Sequence, residues 1–283
     1  MISVEQICRI TALAWTIRRR ILEMIGVGNA GHLGGSFSAA EIVAALYGYK
    51  LRHDPARPHW PERDRFVMSK GHAALAQYAA LAEFGYFPPA ELARVKCLGA
   101  MLQGHPDLRS TPGVEANTGS LGQGLSLAVG MALGLRLDGN GRRVYCLVGD
   151  GEIAEGQIWE AAMAASNFRL DNLTAIIDYN GIQATGPVAR RFDTNPLPPK
   201  WRAFGWQVLE IDGHDVAAVC AALDEASLVR EGPCAIIAQT VKGKGVAFAE
   251  NTADFHNAIL NEEQYRLAVS LVEAQRREDA CRI

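Results

Sequence analysis

What is missing narrows the field first. No C-x-x-C joins any of the six cysteines (Cys8, Cys97, Cys146, Cys220, Cys234 and Cys281), which lie far apart and in several cases inside apolar runs. That pattern speaks for reduced, mostly buried thiols of a cytosolic protein, and against a zinc site or a disulfide framework. There is no long basic run and the formal net charge is −3, so neither nucleic acid nor an anionic membrane is expected as a partner. The first ten residues, MISVEQICRI, include Glu5 and lack the basic-then-apolar pattern of a secretory signal. The most apolar long stretch, Leu121 to Leu135, is interrupted by Gly122, Gln123, Gly124, Gly130 and Gly134, and it is too short and broken to span a membrane. Repeats, low-complexity tracts and linkers are absent too. With 49% apolar residues in 283, the simplest expectation is one large α/β domain over residues 1–283, in the cytoplasm.

What is present is an alternation of helix and strand patterns. Ile7, Ile10, Ala14, Ile17 and Ile21 form a helix-period stripe within residues 3–25. A glycine-dense loop is expected over 26–35. Ser38-Ala39-Ala40-Glu41 fits a capping box, predicting a helix from there to about Lys50. Further on, the pattern predicts a strand over 65–68, a helix over 71–84, a short helix from Pro88-Pro89, loop over 99–119 and a small-residue helix over 121–137. Strands are expected again at 144–149, 173–177, 207–211 and 234–239, with helices at 216–228 and 261–276 and a Pro-rich loop at 186–200. Alternation of this kind implies a mostly parallel sheet with helices on both faces.

The most informative stretch runs from Val144 to Asn180. One β-branched apolar run stops at Gly149-Asp150-Gly151, a helix follows, and a second run stops at Asp178-Tyr179-Asn180. Ligands of open parallel sheets bind at the carboxyl ends of the strands. Asp150 and Asn180 could therefore point oxygen ligands into one crevice. Gly149 to Ala154 also fits the dinucleotide fingerprint, a weak signal alone. The carboxylate inside the turn argues against that reading, because Asp150 would repel a diphosphate at close range unless a metal ion lay between them. Asp150, the Asn180 oxygen and one carbonyl beyond it would suffice for Mg²⁺, with diphosphate oxygens completing the shell. Either residue alone is more simply a solvated turn Asp or a capping Asn.

Four of the seven histidines lie in glycine-rich or loop contexts: His32, His72, His105 and His256. Imidazoles there suit proton transfer and hydrogen bonds to sugar hydroxyls. His53, His59 and His214 have no such context and are taken as ordinary structural residues. Gly119-Ser120-Leu121-Gly122-Gln123-Gly124 reads equally well as tight helix packing or as close backbone approach to a flat ligand. Lys242-Gly243-Lys244-Gly245 lacks the spacing of a P-loop and is not a nucleotide site. Glu155 is read as helix-dipole compensation.

Together these residues resemble the thiamine diphosphate enzymes, and within them transketolase. The resemblance runs through Gly31-His32, Ser69-Lys70-Gly71-His72, Gly104-His105-Pro106, Thr118 to Gly124, Gly149-Asp150-Gly151 to Asn180, and Lys242 to Gly245. It implies thiamine diphosphate as cofactor, with Mg²⁺ (or Ca²⁺ or Mn²⁺) on Asp150, Asn180 and the Ile182 carbonyl. It implies that Gly149, Asp150, Gly151, His72 and His256 approach the diphosphate and that Gly119 and Leu121 line the thiamine site. His32, His72, His105 and His256 would face a sugar phosphate substrate as the catalytic set, and Glu155 would join a carboxylate network across a subunit interface. The family more often has Pro after the first His and Gly after the last; Leu33 and Asn257 stand there instead. Full transketolases are roughly twice this long. The resemblance therefore implies a complementary C-terminal, pyrimidine-binding subunit in an α2β2 assembly that also self-associates through the cofactor domain. The expected activity is transfer of a two-carbon ketol unit. Open alternatives are another thiamine diphosphate half-enzyme (a 2-oxo acid dehydrogenase α subunit or a deoxyxylulose phosphate synthase relative), a cofactor-binding scaffold, or a Rossmann dehydrogenase.

Overall fold

The structure, a computed structural model, describes residues 2–281, and of 280 and 281 the backbone only. The expectation for Cys281 therefore lies outside the described side chains. The chain opens with α1 (Val4–Ile25), started by a true capping box: the Ser3 hydroxyl accepts from the Gln6 N–H at 3.2 Å and the Gln6 side chain accepts from the Ser3 N–H at 3.0 Å. Its buried face carries Ile10, Ala14, Ile17 and Ile21, the stripe read from the sequence. Next come β1 (Ala30–Gly31), α2 (Leu33–Ser38) and α3 (Ala40–Ala45), the last followed by a wider π-type turn over Leu46–Lys50.

The first half continues through β2 (Arg65–Met68), α4 (Ala74–Glu83) and α5 (Gln123–Leu137). Then follow β3 (Val144–Gly149), α6 (Gly156–Asn167) and β4 (Leu173–Tyr179). A small hairpin of β5 (Ile182–Gln183) and β6 (Gly186–Pro187) leads into α7 (Val188–Arg191) and α8 (Leu197–Ala203). The last units are β7 (Gln207–Asp212), α9 (Val216–Ala226), β8 (Cys234–Gln239), β9 (Ala258–Ile259) and α10 (Glu262–Cys281).

Five strands form one all-parallel sheet in the order β2-β3-β4-β8-β7. Successive strand residues face opposite sides, and the two sides bury separate cores. Phe66, Met68, Tyr145, Leu147, Ile176 and Ile236 pack under α1, α3, α4 and α9. Val67, Cys146, Val148, Ala175, Ile177 and Ile237 pack under α5, α6 and α8. Each fully buried Ile, Leu or Phe contributes about 1.5–3 kcal/mol, so both faces must stay covered, and this is why the strands read as continuous apolar runs. The α/β class with helices on both faces matches the expectation from the sequence. Three of the five described cysteines, Cys146, Cys220 and Cys234, are buried; Cys8 is half-buried, Cys97 is exposed, and none is in a disulfide.

Several local expectations are corrected. Ser38 caps nothing: α3 begins after Ala39 without a side-chain cap, and the Ser38 hydroxyl instead donates to Asp178 Oδ2 at 2.6 Å. Ser38 is the last residue of α2, so it does not stand at the cap position of α3, which Ala39 occupies. The expected loop over 26–35 already turns helical at Leu33, and the Pro-rich loop over 186–200 contains α7 and the start of α8, with prolines in the first turn of α8 where no N–H is needed. Residues 240–262 contain β9, which pairs antiparallel with β1: Ala30 opposite Ile259, Gly31 opposite Ala258. Among the described residues no helix is long and apolar enough to cross a membrane.

Candidate cofactor and sugar site

The register of the sheet brings the site together. Gly149 on β3 lies opposite Asp178 on β4, and Tyr179 lies opposite Gln239 on β8. The chain segments leaving β3, β4 and β8 therefore start level, at the carboxyl edge of the sheet. Beyond that edge lies a cavity of about 490 Å³. It is lined by His72, Gly119, Leu121, Gly149, Asp150, Gly151, Glu155, Asn180, Ile182 and His256. All the residues expected from the sequence to approach a cofactor thus border one space. His32 and His105 flank it: the His32 ring centroid is 5.3 Å from His72, 5.5 Å from His256 and 6.2 Å from His105, and His72 and His256 are 4.9 Å apart.

Asp150 is buried and bonded only to backbone. Its Oδ1 accepts from Gly151 N–H at 2.8 Å and its Oδ2 from Gly181 N–H at 2.5 Å. Burial, and next the neighbouring Asp178 charge, push its carboxyl up to about 6. A carboxylate in that state gains from any cation placed on it. Asn180 donates from Nδ2 to Asp178 Oδ2 at 3.1 Å and accepts from Ile182 N–H through Oδ1 at 3.1 Å. The Ile182 carbonyl accepts from the Lys242 ammonium at 2.9 Å. A cation thus already sits on one member of the expected metal set. No three His, Cys, Asp or Glu side chains gather as a metal set among the described residues; the set expected here needs one carboxylate, one amide and one carbonyl, which suits a hard ion that draws its remaining ligands from water and phosphate.

Four residues central to this arrangement are given no site role by the sequence reading. Asp178, wholly buried, accepts from Ser38, Asn180, Lys70 and Thr240. Burial opposes its charge, but the Lys70 ammonium and these hydrogen bonds win and hold it below the usual range. Lys70 also donates to the Gly35 carbonyl at 2.7 Å. Lys242, whose motif is no P-loop, nevertheless faces the cavity, where burial and then Lys70 lower its ammonium to about 8. Glu152 is buried and collects Ser69 Oγ at 2.5 Å, Gly122 N–H at 2.9 Å and Gly149 N–H at 3.0 Å. It pins the loop that carries Leu121 to the turn that carries Asp150. A signal exists for these residues: Lys70, Glu152 and Asp178 are charged residues at the ends of apolar strands, where a charge is kept only if paired.

The imidazoles are neutral near pH 7. Burial, followed by the charge of Lys96, lowers His32 to about 4; burial, followed by Lys242, lowers His256 to about 3. Burial and then Lys70 hold His72 well below its ordinary value, while burial and Lys96 depress His105. His256 Nδ1 is buried without a partner, a polar atom awaiting a ligand. Two glycines are dictated by contact: a Cβ on Gly71 would lie 2.6 Å from Gly119 N, and one on Gly124 would lie 2.4 Å from Ser69 Oγ. Tight packing, one of two readings left open for Gly119 to Gly124, is therefore real at Gly124, and Gly119 and Leu121 border the cavity as well. Glu155 is the exposed residue before α6, makes no side-chain cap bond there, and its Cβ would be 2.7 Å from a Cβ on Gly122. His214, taken as structural, is so: Nδ1 meets Glu41 at 3.0 Å and Nε2 accepts from Val241 N–H at 2.8 Å.

This geometry has close relatives. Residues 11–272 match the family described as transketolase, thiamine diphosphate binding domain. The chain is 48% identical over 259 residues to the 6-deoxy-6-sulfo-D-fructose transketolase subunit SqwG of Clostridium sp. (strain MSTE9), covering 92% of this chain and 94% of that one. It is 40% identical over 252 residues to an apulose-4-phosphate transketolase subunit of Phocaeicola vulgatus, with 89% of each covered. Among solved structures, transketolase from Leishmania mexicana superposes with a TM-score of 0.85 at 30% identity, over 95% of this chain and 46% of that one. The chain thus spans nearly the whole of the two proteins named as subunits and under half of that larger enzyme. It belongs to the transketolase family, as that family's thiamine diphosphate binding domain.

Proposed function

We propose that this chain is the diphosphate-holding subunit of a two-chain transketolase, active with a complementary subunit that carries the pyrimidine half of the cofactor site. The observation that supports this reading is that Asp150, Asn180 and Ile182 border one cavity together with His72 and His256. Asp150, the Asn180 oxygen and the Ile182 carbonyl would hold Mg²⁺ or a similar divalent ion, and Lys242 and Lys70 would balance diphosphate charge. Bound thiamine diphosphate supplies the electron sink for cleavage beside a ketose carbonyl. This chain's residues bind and orient. His72 and His256 face the cofactor side, and His32 and His105 extend the same wall outward. Neutral imidazole both donates and accepts, which suits sugar hydroxyls, and the unpartnered His256 Nδ1 can accept a hydrogen bond from one. The reaction is transfer of a two-carbon ketol unit to an aldose acceptor.

The relatives named above act on a sulfo-sugar and on apulose 4-phosphate, by their names. We assign this chain a substrate of the same kind, a sugar ending in phosphate or sulfonate. Self-association would use α5 and α6, whose outer faces expose Leu127, Met163 and Phe168 beside Gly130 and Gly134, glycines with open space around them. Small residues let helices of a second copy approach closely, giving an α2β2 assembly. Reconstitution with the candidate partner chain, followed by assays with a ketose phosphate and with pyruvate, tests the reading. Ketol transfer is expected; a complex that binds thiamine diphosphate but turns over only pyruvate would overturn it.

A further inference from the structure

Lys96 belongs to no motif and does not line the cofactor cavity, yet three observations tie it to the histidines. Its ammonium donates to the Ala30 carbonyl at 2.7 Å, two residues before His32. Its methylenes lie against Gly104, the residue before His105, with Cε 3.6 Å from where a Cβ on that glycine would stand. Its backbone holds φ at +62° in the left-handed region, while its N–H closes the 96–102 loop onto the Leu102 carbonyl at 2.8 Å. A non-glycine residue in that region is strained, and such conformations persist where the surroundings require them. Here the left-handed turn aims an exposed lysine back across the loop at the β1 strand.

We propose that Lys96 is a positioning residue: it straps the segment bearing His32 to the segment bearing His105, and lays a fixed positive charge behind both rings. The role in ketol transfer rests on the functional reading above. The strap sets the separation of the two imidazoles, 6.2 Å between centroids, and so the gap available to a sugar hydroxyl. The charge makes a proton on either ring costly, so both meet substrate as neutral donors and acceptors. The remaining groups about these rings do not cancel it. His32 faces His72 and His256 by contact and Lys242 by charge, and all of these are neutral or positive. On His105 the charge that acts is that of Lys96. Asp107 engages its carboxylate locally, with the Arg109 N–H at 3.0 Å and the Ser110 hydroxyl at 2.9 Å. The Tyr78 hydroxyl donates to the His105 carbonyl at 2.8 Å. Partial burial lowers the Lys96 ammonium itself from the usual 10.5.

The test uses the full chain labelled with ¹⁵N-histidine, each ring assigned by a single His→Gln substitution, at pH 5.5 with the fold checked by circular dichroism. Removing one nearby unit charge by Lys96→Met should raise the small protonated fraction of His32 about threefold or more and should raise that of His105 as well. Lys96→Arg should restore both. His256, whose depression comes from burial, Lys242, His32 and Lys70, should not move. In the reconstituted enzyme Lys96→Met should raise KM for the sugar donor about tenfold with kcat little changed. Unchanged protonation of both rings in Lys96→Met overturns the proposal, as does a shift that Lys96→Arg fails to reverse. Should Lys96→Met not fold, Lys96→Gln answers the same question. Absence of ketol transfer in the parent complex would sink the functional reading and leave the ring measurements standing.

Discussion

Asn180 donates its amide N–H to Asp178 Oδ2 at 3.1 Å, so the amide can turn only its oxygen outward. Asp178 is itself fixed by Ser38, Lys70 and Thr240, from three other segments. The orientation of an expected metal ligand is thus set by a buried carboxylate that no ligand would touch, as outer-shell groups commonly do.

Substituting Asp150 separates binding from folding. Asp150→Ala should abolish metal-dependent binding of thiamine diphosphate by the reconstituted complex, a loss beyond the roughly 10–100-fold typical of outer-shell changes. Stability should change little or rise, because a buried carboxylate raised to about 6 is removed. Titration calorimetry and a thermal melt of the same sample check both halves.

Asp178→Ala should act in the opposite way. It strands the Lys70 ammonium, whose side chain is 2% exposed, without its partner. Breaking a buried pair from one side costs about 3–5 kcal/mol. Urea denaturation of the isolated chain should register that loss without any cofactor present.

Stability should fall with acid in two stages. His32 and His256 are lowered in the fold from 6.5 to about 4 and about 3. The unfolded chain then binds more protons, so stability is full above about 6.5 and declines as pH drops through the folded values. Glu41 follows. Burial works against its charge, but Arg18 and His214 win and bring it from 4.5 to about 2. Its contribution is present above about 4.5 and is lost as pH falls toward about 2. Denaturation midpoints measured across pH 7 to 3 should decline from about 6.5 downward, and a His32→Gln, His256→Gln double variant should flatten the first stage. A profile flat to pH 5 in the parent would refute this.

Gly71→Ala should disturb the cofactor loop from outside the cavity. Its new Cβ would stand 2.6 Å from Gly119 N and 2.7 Å from Thr118 C, backbone that cannot yield as a side-chain tip can. A loss of about 1–3 kcal/mol is expected, as for overpacking elsewhere, together with weaker cofactor binding. Gly130→Ala, with open space at its Cβ, is the control for stability.

The exposed face of α5 and α6 predicts an oligomer. Leu127→Glu with Met163→Lys should shift sedimentation of the isolated chain toward monomer without lowering its melting temperature, because both side chains are about half exposed, at 42% and 53%.

The strands, and with them the sheet, are legible because each is buried on both faces and so reads as an unbroken apolar run between glycine or polar stops. Asp150 and Asn180 are legible because they stand at such stops. The Ser38 box misleads: a motif of four residues records only what the helix end could use, and the Asp178 carboxylate, 140 residues away, takes the hydroxyl. Lys242 lacks a phosphate loop's spacing, yet it enters the site because β8 lies beside β4, a neighbour relation that local spacing does not encode.

What the sequence by itself determined is the set of elements and the chemistry at their ends: alternating strands and helices, a carboxylate and an amide at two strand stops, and histidines in loops. Those follow from local periodicity and turn chemistry. The tertiary structure alone decided which of these groups meet. Strand order and register brought Lys70 and Thr240 onto Asp178 and the Lys242 ammonium onto the Ile182 carbonyl, and a folded-back loop brought Lys96 across to Ala30. Each contact joins residues that are adjacent only once the sheet is assembled or a loop has folded back, and the free energy that holds them comes from burying both faces of the sheet, not from the residues themselves.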